Sequence, residues 1–333
     1  MIPVSIVTGF LGAGKSTLLR QVLRDPAWAD SAVIVNEFGE VALDHDLIAV
    51  SEESFVSVST GCLCCVVRDD LTATLLDLLR RREAGEVPRY ARVLIETSGL
   101  ADPVPVLQSL MADAALGATH ALHCVVTLVD ALHGAAALAR HPEAQRQVML
   151  ADRILVTKTD LAAVPEAAIR ALNPAASICV KAQAAISPEW LFAPGVPPDA
   201  LPDWAAMHSQ GVHAIVIERE APIAALALTL WMQGLAEHAG PRLLRLKGIV
   251  ALAEQPDRPA VIHAIQHLVH PLEWLQAWPT RDRHSRIVLI GEGMPRHWPA
   301  RLLMAVEAEA AAETARQSLA APLLTPCEAG QHN

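Results

Sequence analysis

Aromatic residues are scarce in this chain of 333 residues, at 4%, and cysteines number only six. Six cysteines in a chain of this length do not make a disulfide framework. No apolar run reaches the roughly 18 residues that a membrane helix requires. The nearest candidate, Ala115 to Ala139, is broken by His120, His123, Asp130 and His133. Basic side chains are outnumbered, 26 against 36 acidic, for a formal charge of −10. The basic face of a general nucleic-acid binder is therefore missing. Met1-Ile2-Pro3-Val4-Ser5-Ile6-Val7 carries no positive leader and no cleavage pattern. These absences predict a soluble, cytoplasmic protein with neither membrane nor nucleic-acid partners.

What is present is apolar bulk. Hydrophobic residues make up 52% and charged residues 19%, enough for buried cores and against intrinsic disorder. At roughly 150 residues per domain, the length predicts two. Short β-branched runs alternate with helical patterns through the first half. Strands are expected at Val4–Val7, Ala32–Asn36, Phe55–Val58, Val93–Ile95, Cys124–Val129 and Arg153–Val156, with helices at Ser16–Leu23 and Asp70–Arg82. That alternation predicts an α/β fold, a doubly wound and mostly parallel sheet. From Ser187 to Trp204 the sequence holds five prolines and no periodicity, which reads as a linker. Beyond it, strands near His213–Ile217, Leu243–Leu252, Ala260–His267 and Ser285–Ile290 join helices near Pro222–Glu237 and Pro299–Ser318 in a smaller α+β domain. The expected boundaries are 1–186 for the first domain, 187–210 for the linker, 211–320 for the second domain and 321–333 for a frayed tail.

Gly9-Phe10-Leu11-Gly12-Ala13-Gly14-Lys15-Ser16 fits G-x-x-x-x-G-K-[ST] at every position, between a strand and a helix. Glycines let consecutive N–H groups surround phosphates, and the helix N-terminus adds partial positive charge. Lys15 is expected to reach the β- and γ-phosphates, and Ser16 to ligate Mg²⁺. Glu96, at the end of the Arg92–Ile95 run, is placed to hold the Mg²⁺ water shell. Gly99 follows to offer its N–H to the γ-phosphate. Thr157-Lys158-Thr159-Asp160 supplies Lys-x-Asp after a buried strand. A carboxylate there accepts hydrogen bonds from guanine N1–H and N2–H₂, and the lysine stem lies across the ring. The usual GTPase signature begins with Asn where this chain has Thr157, which removes an amide; GTP is still favoured over ATP.

Cys62, Cys64 and Cys65 fall within four positions, while Cys124, Cys179 and Cys327 are scattered. The scattered three read as inert small hydrophobes. The cluster offers C-x-C and C-x-x-C spacings to zinc, copper(I) or another soft ion. In extended backbone Cys62 and Cys64 share one side and Cys65 the other, so a turn is needed before all three converge. No second cysteine pair closes a four-thiolate site, which suits metal exchange; a redox dithiol and simple burial are the alternatives. Glu37 offers a further ligand, as do Asp44 and His45, although Glu40 and Asp44 read equally well as a solvated acidic loop. His263, His267 and His270 read as surface or packed histidines, and His208 and His213 can catch metal weakly.

Taken together, GFLGAGKST at Gly9–Thr17, NEFGE at Asn36–Glu40, GCLCC at Gly61–Cys65, ETSGLADP at Glu96–Pro103 and TKTD at Thr157–Asp160 resemble the CobW-like family of P-loop GTPases. These are metallochaperones related to the urease and hydrogenase nickel-insertion GTPases. Arg242–Gly248 and Arg286–Gly291 are similar to the family's C-terminal domain. The resemblance implies GTP hydrolysis coupled to delivery of Zn²⁺, Co²⁺ or a similar ion to a metal-dependent client protein. It places nucleotide on Gly9, Gly12, Ala13, Gly14, Lys15, Ser16, Thr17, Gly99, Lys158 and Asp160. Catalysis falls to Lys15, Ser16 and Glu96, and the transition metal to Glu37, Cys62, Cys64 and Cys65. The long histidine-rich tract of some members is absent, which speaks against metal storage. A small-molecule kinase and a passive zinc-binding or redox-sensing module remain as rivals. The client, the physiological metal and the formation of a homo-oligomer are left open.

Overall fold

Strand β1 (Ile2–Gly9) is buried along most of its length, the pattern of a strand covered on both faces. In the computed structural model, which describes residues 1–36, 55–57, 63–67, 71–180, 187–193, 212–279 and 282–320, it lies inside an eight-stranded sheet. The other members are β2 (Ser31–Asn36), β3 (Phe55–Ser57), β4 (Leu63–Val67), β5 (Arg92–Thr97), β6 (His120–Asp130), β7 (Arg153–Thr157) and β8 (Ser177–Val180). Their order is β3-β4-β2-β5-β1-β6-β7-β8. Every pairing is parallel except β3 with β4 at the edge. The chain leaves β1 toward β2 on one side and later builds β6, β7 and β8 on the other. The order therefore reverses at β1, where α/β sheets place their ligands.

Helices cover both faces. On one, α2 (Leu71–Glu83), α3 (Val104–Ala112) and α4 (Ala114–Thr119) bury Leu75, Leu78, Leu107, Leu110 and Leu116 against Ile6, Ile34 and Ile95. On the other, α1 (Lys15–Val22) buries Leu18, Leu19 and Val22 with Val7, Val33 and Leu94. The first face continues with α5 (Gly134–Arg140), α6 (Pro142–Met149) and α7 (Glu166–Leu172), which enclose Leu138, Val148, Met149, Ile169 and Leu172 over Val129, Ile154 and Val156. These last three alternate with Leu128 and Leu155 on the α1 side.

Three findings depart from the sequence reading. The cysteine-bearing segment Leu63–Val67 is itself a strand, paired in parallel with β2, and β8 adds a further strand after β7. The proline-rich stretch opens with a short helix, α8 (Pro188–Leu191), rather than with aperiodic chain. Pro188 occupies its first position, where a missing N–H costs nothing, and the Ser187 side chain caps it. Leu191 and Phe192 are buried beside Trp28, with the Phe192 and Trp28 ring centroids 4.9 Å apart. The expected tail, 321–333, lies outside the described residues.

The second domain is an antiparallel sheet in the order β12 (Leu268–Val269), β11 (Gln255–Ile265), β10 (Leu243–Leu252), β14 (Ser285–Glu292), β9 (Val212–Arg219), with β13 (Glu273–Trp274) also on β11. Helices α9 (Ala225–Ala239) and α10 (Trp298–Ala320) cover one face, burying Trp231, Leu235 and Leu303 against Ile217, Leu246, Ile262 and Leu289. The other face meets the first domain: Leu244 and Ile290 join the cluster under α6 and α7, and Ile265 joins that of α3.

A buried ionic cluster pins this junction. The Asp152 side chain, 4% exposed, takes Arg245 and Lys247 of β10 on its Oδ1, each at 2.5 Å, and the Val125 N–H on its Oδ2 at 2.9 Å. Arg245 also donates to the Leu150 carbonyl. Burial pushes the Asp152 carboxyl up, but the Arg245 and Lys247 charges outweigh it and hold it well below the usual carboxylate range.

Candidate functional site

The loop from Gly9 to Gly14 connects the carboxyl end of β1 to α1. Its turns need glycine. Gly9 (φ 145°) passes so close to β6 that an added Cβ would lie 2.5 Å from the Leu128 carbonyl oxygen. Gly14 (φ 96°) caps α1 in the left-handed region, where a side chain would be strained. Ala13 is buried and its N–H returns to the Phe10 carbonyl at 3.1 Å. The Lys15 ammonium folds back over the loop, donating to the Gly9 carbonyl at 2.8 Å and to that of Phe10 at 3.5 Å. Ser16 is half-buried and Thr17 is exposed.

Glu96, one residue before the end of β5, is in register with Val7 of β1 and buried at 7% exposure. The Ser16 hydroxyl donates to Glu96 Oε1 at 2.7 Å, across 80 residues of sequence. An aliphatic hydroxyl and a carboxylate at one point form an oxygen donor set suited to Mg²⁺. Next to Glu96, the Thr97 hydroxyl donates to that of Thr8 at 2.7 Å, which ties β5 to β1 below the loop. Gly99 is buried against the phosphate loop, and a Cβ there would lie 2.9 Å from the Leu11 backbone nitrogen.

The second face of the site lies at the carboxyl ends of β6 and β7. Thr157, where an Asn would be usual, donates its hydroxyl to the Ala13 carbonyl at 2.9 Å. This hydroxyl ties the segment that carries Lys158 and Asp160 to the phosphate loop. Lys158 holds a left-handed backbone (φ 56°) and its ammonium lies 2.5 Å from Asp130 Oδ2. Asp160 is exposed. In the sequence Asp130 registers only as a charge that interrupts an apolar run, although it carries the same signal as Glu96, a carboxylate closing an apolar strand. Burial pushes its carboxyl up; the Lys158 hydrogen bond and the Leu132 and His133 N–H groups outweigh this and leave it below its ordinary value.

Of the four metal candidates, Glu37 and Cys62 lie outside the described residues. Cys64 and Cys65 occupy adjacent positions of β4, in register with Val33 and Ile34 of β2, which in turn pair with Leu94 and Ile95 of β5. The two cysteines thus sit two strands, about 10 Å, from the strand that carries Glu96. Among the described residues no group of three His, Cys, Asp or Glu side chains is arranged to hold a metal. Cys124 is fully buried and its thiol is pushed up to about 12 by that burial, as suits an inert core residue. Among the described residues, no helix is long and apolar enough to cross a membrane.

Comparison with known proteins agrees with this geometry. Residues 3–184 match the CobW/HypB/UreG nucleotide-binding domain. Residues 212–307 match the C-terminal domain of the cobalamin synthesis protein cobW. The chain is similar to the zinc chaperone YjiA of Escherichia coli, with 33% identity over 305 residues, 88% of this chain and 95% of that protein. It is 41% identical over 152 residues to the zinc chaperone CobW of Pseudomonas aeruginosa, covering 43% of this chain and 39% of that one. The crystal structure of zinc-bound E. coli YjiA GTPase matches with a TM-score of 0.70 at 29% identity, over 92% of this chain and 98% of that one. The chain belongs to the CobW/HypB/UreG family, with a P-loop nucleotide-binding domain followed by a CobW C-terminal domain.

Proposed function

We propose that this protein is a GTP-hydrolysing metallochaperone that binds a transition metal and releases it to a client protein according to its nucleotide state. The observation that carries the reading is the Ser16–Glu96 bond. It brings together two motifs that a nucleotide triphosphatase needs at one metal-binding point, in a chain similar along most of its length to a zinc chaperone. Mg²⁺ held by Ser16 and Glu96 would neutralise the charge that develops between the β- and γ-phosphates. The chain's own part is positioning. Lys15 exchanges the Gly9 carbonyl for phosphate oxygens, the amides of Gly12 to Thr17 surround the β-phosphate, and the Gly99 N–H faces the γ-phosphate. Asp160 accepts from guanine, Lys158 covers the ring, and Thr157 holds that segment to the phosphate loop.

Zinc or cobalt is the cargo. Cys64 and Cys65 supply thiolates, joined by Cys62 and Glu37, and in a reducing cytoplasm these thiols stay available to metal. Their place two strands from Glu96 supports a link between the γ-phosphate and the metal site. Titration with Co²⁺, followed by thiolate-to-metal charge-transfer absorption, tests that link in the presence of Mg²⁺ and either GDP or a non-hydrolysable GTP analogue. Tighter tetrahedral binding with the analogue is expected, and its loss in Cys64→Ala/Cys65→Ala. Equal binding in both nucleotide states would refute a nucleotide-gated chaperone.

A further inference from the structure

Gln147 lies on α6, 1% exposed, away from every motif that the sequence reading used. Its side-chain amide donates twice into a single loop, to the Gly99 carbonyl at 3.1 Å and to the Ala101 carbonyl at 3.0 Å. The opposite amide orientation would set Oε1 against two carbonyl oxygens, so the chemistry fixes which end faces the loop. The outcome leaves Gln147 Oε1 buried with no partner among the described residues. A buried acceptor without a donor is costly; here it accompanies the use of both protons on the loop.

The amide's own support is rigid. The Gln147 backbone carbonyl accepts the buried Thr127 hydroxyl of β6 at 2.7 Å. The neighbouring Arg146 pairs with Asp102, at the far end of the same loop, at 2.5 Å. A cavity of about 20 Å³ lies between the phosphate loop and α6, lined by Phe10, Leu11, Thr127, Gln147 and others. Gly99 lies against Leu11, so a small shift of this loop changes where its N–H points. Among the described residues nothing accepts that N–H.

We infer that Gln147 is the positioning residue that holds the Gly99–Asp102 loop in the form that meets the γ-phosphate, and so sets the protein's preference for GTP over GDP. The inference rests on the GTPase reading above. GDP lacks the group this loop would contact, whereas GTP needs both carbonyls turned toward Gln147 so that the Gly99 N–H is left to the nucleotide.

The test is calorimetric titration of wild type and Gln147→Met with GDP and with a non-hydrolysable GTP analogue, both with Mg²⁺, alongside steady-state GTP hydrolysis. Methionine keeps the volume and removes both donors. GDP affinity should stay within about twofold, while analogue affinity and kcat each fall about tenfold, the loss of roughly one well-made hydrogen bond. Should Gln147→Met fail to fold, Gln147→Leu, also uncharged and without donors, carries the same comparison. An unchanged ratio of analogue to GDP affinity, or equal weakening of both with a lowered melting temperature, would overturn the inference. Absence of GTP binding by the wild type would instead overturn the GTPase reading itself, a result distinct from wild-type binding that the variants leave intact.

Discussion

The phosphate-binding end and the junction between the domains are both built from polar groups, but from opposite scales of the sequence. At the phosphate end the working parts are nearly contiguous, Gly9 to Thr17, with Glu96 and the Thr157–Asp160 segment added. At the junction Asp152 meets Arg245 and Lys247, 93 and 95 residues further along the chain. The phosphate end spends little on itself: Lys15 rests on carbonyls it can leave, and Gly12 and Gly14 expose backbone. The junction commits its groups to each other, with a carboxylate 4% exposed holding two cations. One region is arranged for exchange with a ligand and the other for permanence. Substitutions should therefore separate activity from stability.

The sharpest separation should come from Lys15→Ala. Loss of the ammonium removes charge stabilisation at the transferred phosphoryl group, so phosphate release should fall at least about a hundredfold. Unfolding in urea should move by no more than about 1 kcal/mol, since the Lys15 ammonium rests on the Gly9 and Phe10 carbonyls, hydrogen bonds of modest net worth. Unchanged turnover would remove this loop from the reaction. Asp152→Ala should do the reverse. It strands the Arg245 and Lys247 charges in a low-dielectric junction, at a cost of about 3–5 kcal/mol. The folded fraction should keep its GDP affinity. A smaller loss, under about 1 kcal/mol, would show that water reaches the cluster and that Asp152 belongs with surface ion pairs.

The same contrast explains what the sequence makes legible. Gly9–Ser16 is readable because phosphate binding demands a local backbone shape, and local shape leaves a spacing in the sequence. Glu96 is readable by its place after an apolar run. Gln147 is not, because its partners, Gly99 and Ala101, are backbone carbonyls 48 and 46 residues away and carry no residue signature. Asp152 looks like any acid before a strand until β10 supplies the cations. Leu63–Val67 reads as a metal motif because its cysteines mask a short apolar strand, which only the pairing with β2 reveals. Composition misleads at Pro188, where prolines signal a linker but one of them starts a helix that packs on Trp28.

The smallest expected effect concerns pH, and it too belongs to the junction. Beside the Asp152 cluster, the His263 Nε2 is sealed off without a partner among the described residues, and the His270 ring lies 6.4 Å away, centroid to centroid. Burial first, then Lys247 and Arg245, hold the His263 pKa well below its ordinary value, against a weaker opposing pull from Asp152. The unfolded chain takes up this proton near pH 6.5 and the folded one does not, so stability falls as pH drops below about 6.5, by up to about 1.4 kcal/mol per unit. Asp152 acts in a lower window. Its folded pKa is depressed, so its contribution is complete above about pH 3.9 and is lost only as pH falls through the folded value. Between pH 6.5 and 5 the histidine effect therefore stands apart from the aspartate's. His263→Gln should reduce the loss of urea stability over that interval by up to about 2 kcal/mol. A residual slope should persist from His120 and His123, both also lowered by burial. Lys15→Ala should keep the full wild-type slope, because it removes none of these buried histidines. Parallel pH profiles for His263→Gln and wild type would mean that His263 is protonated in the folded protein, and the junction would then hold a third positive charge against Asp152.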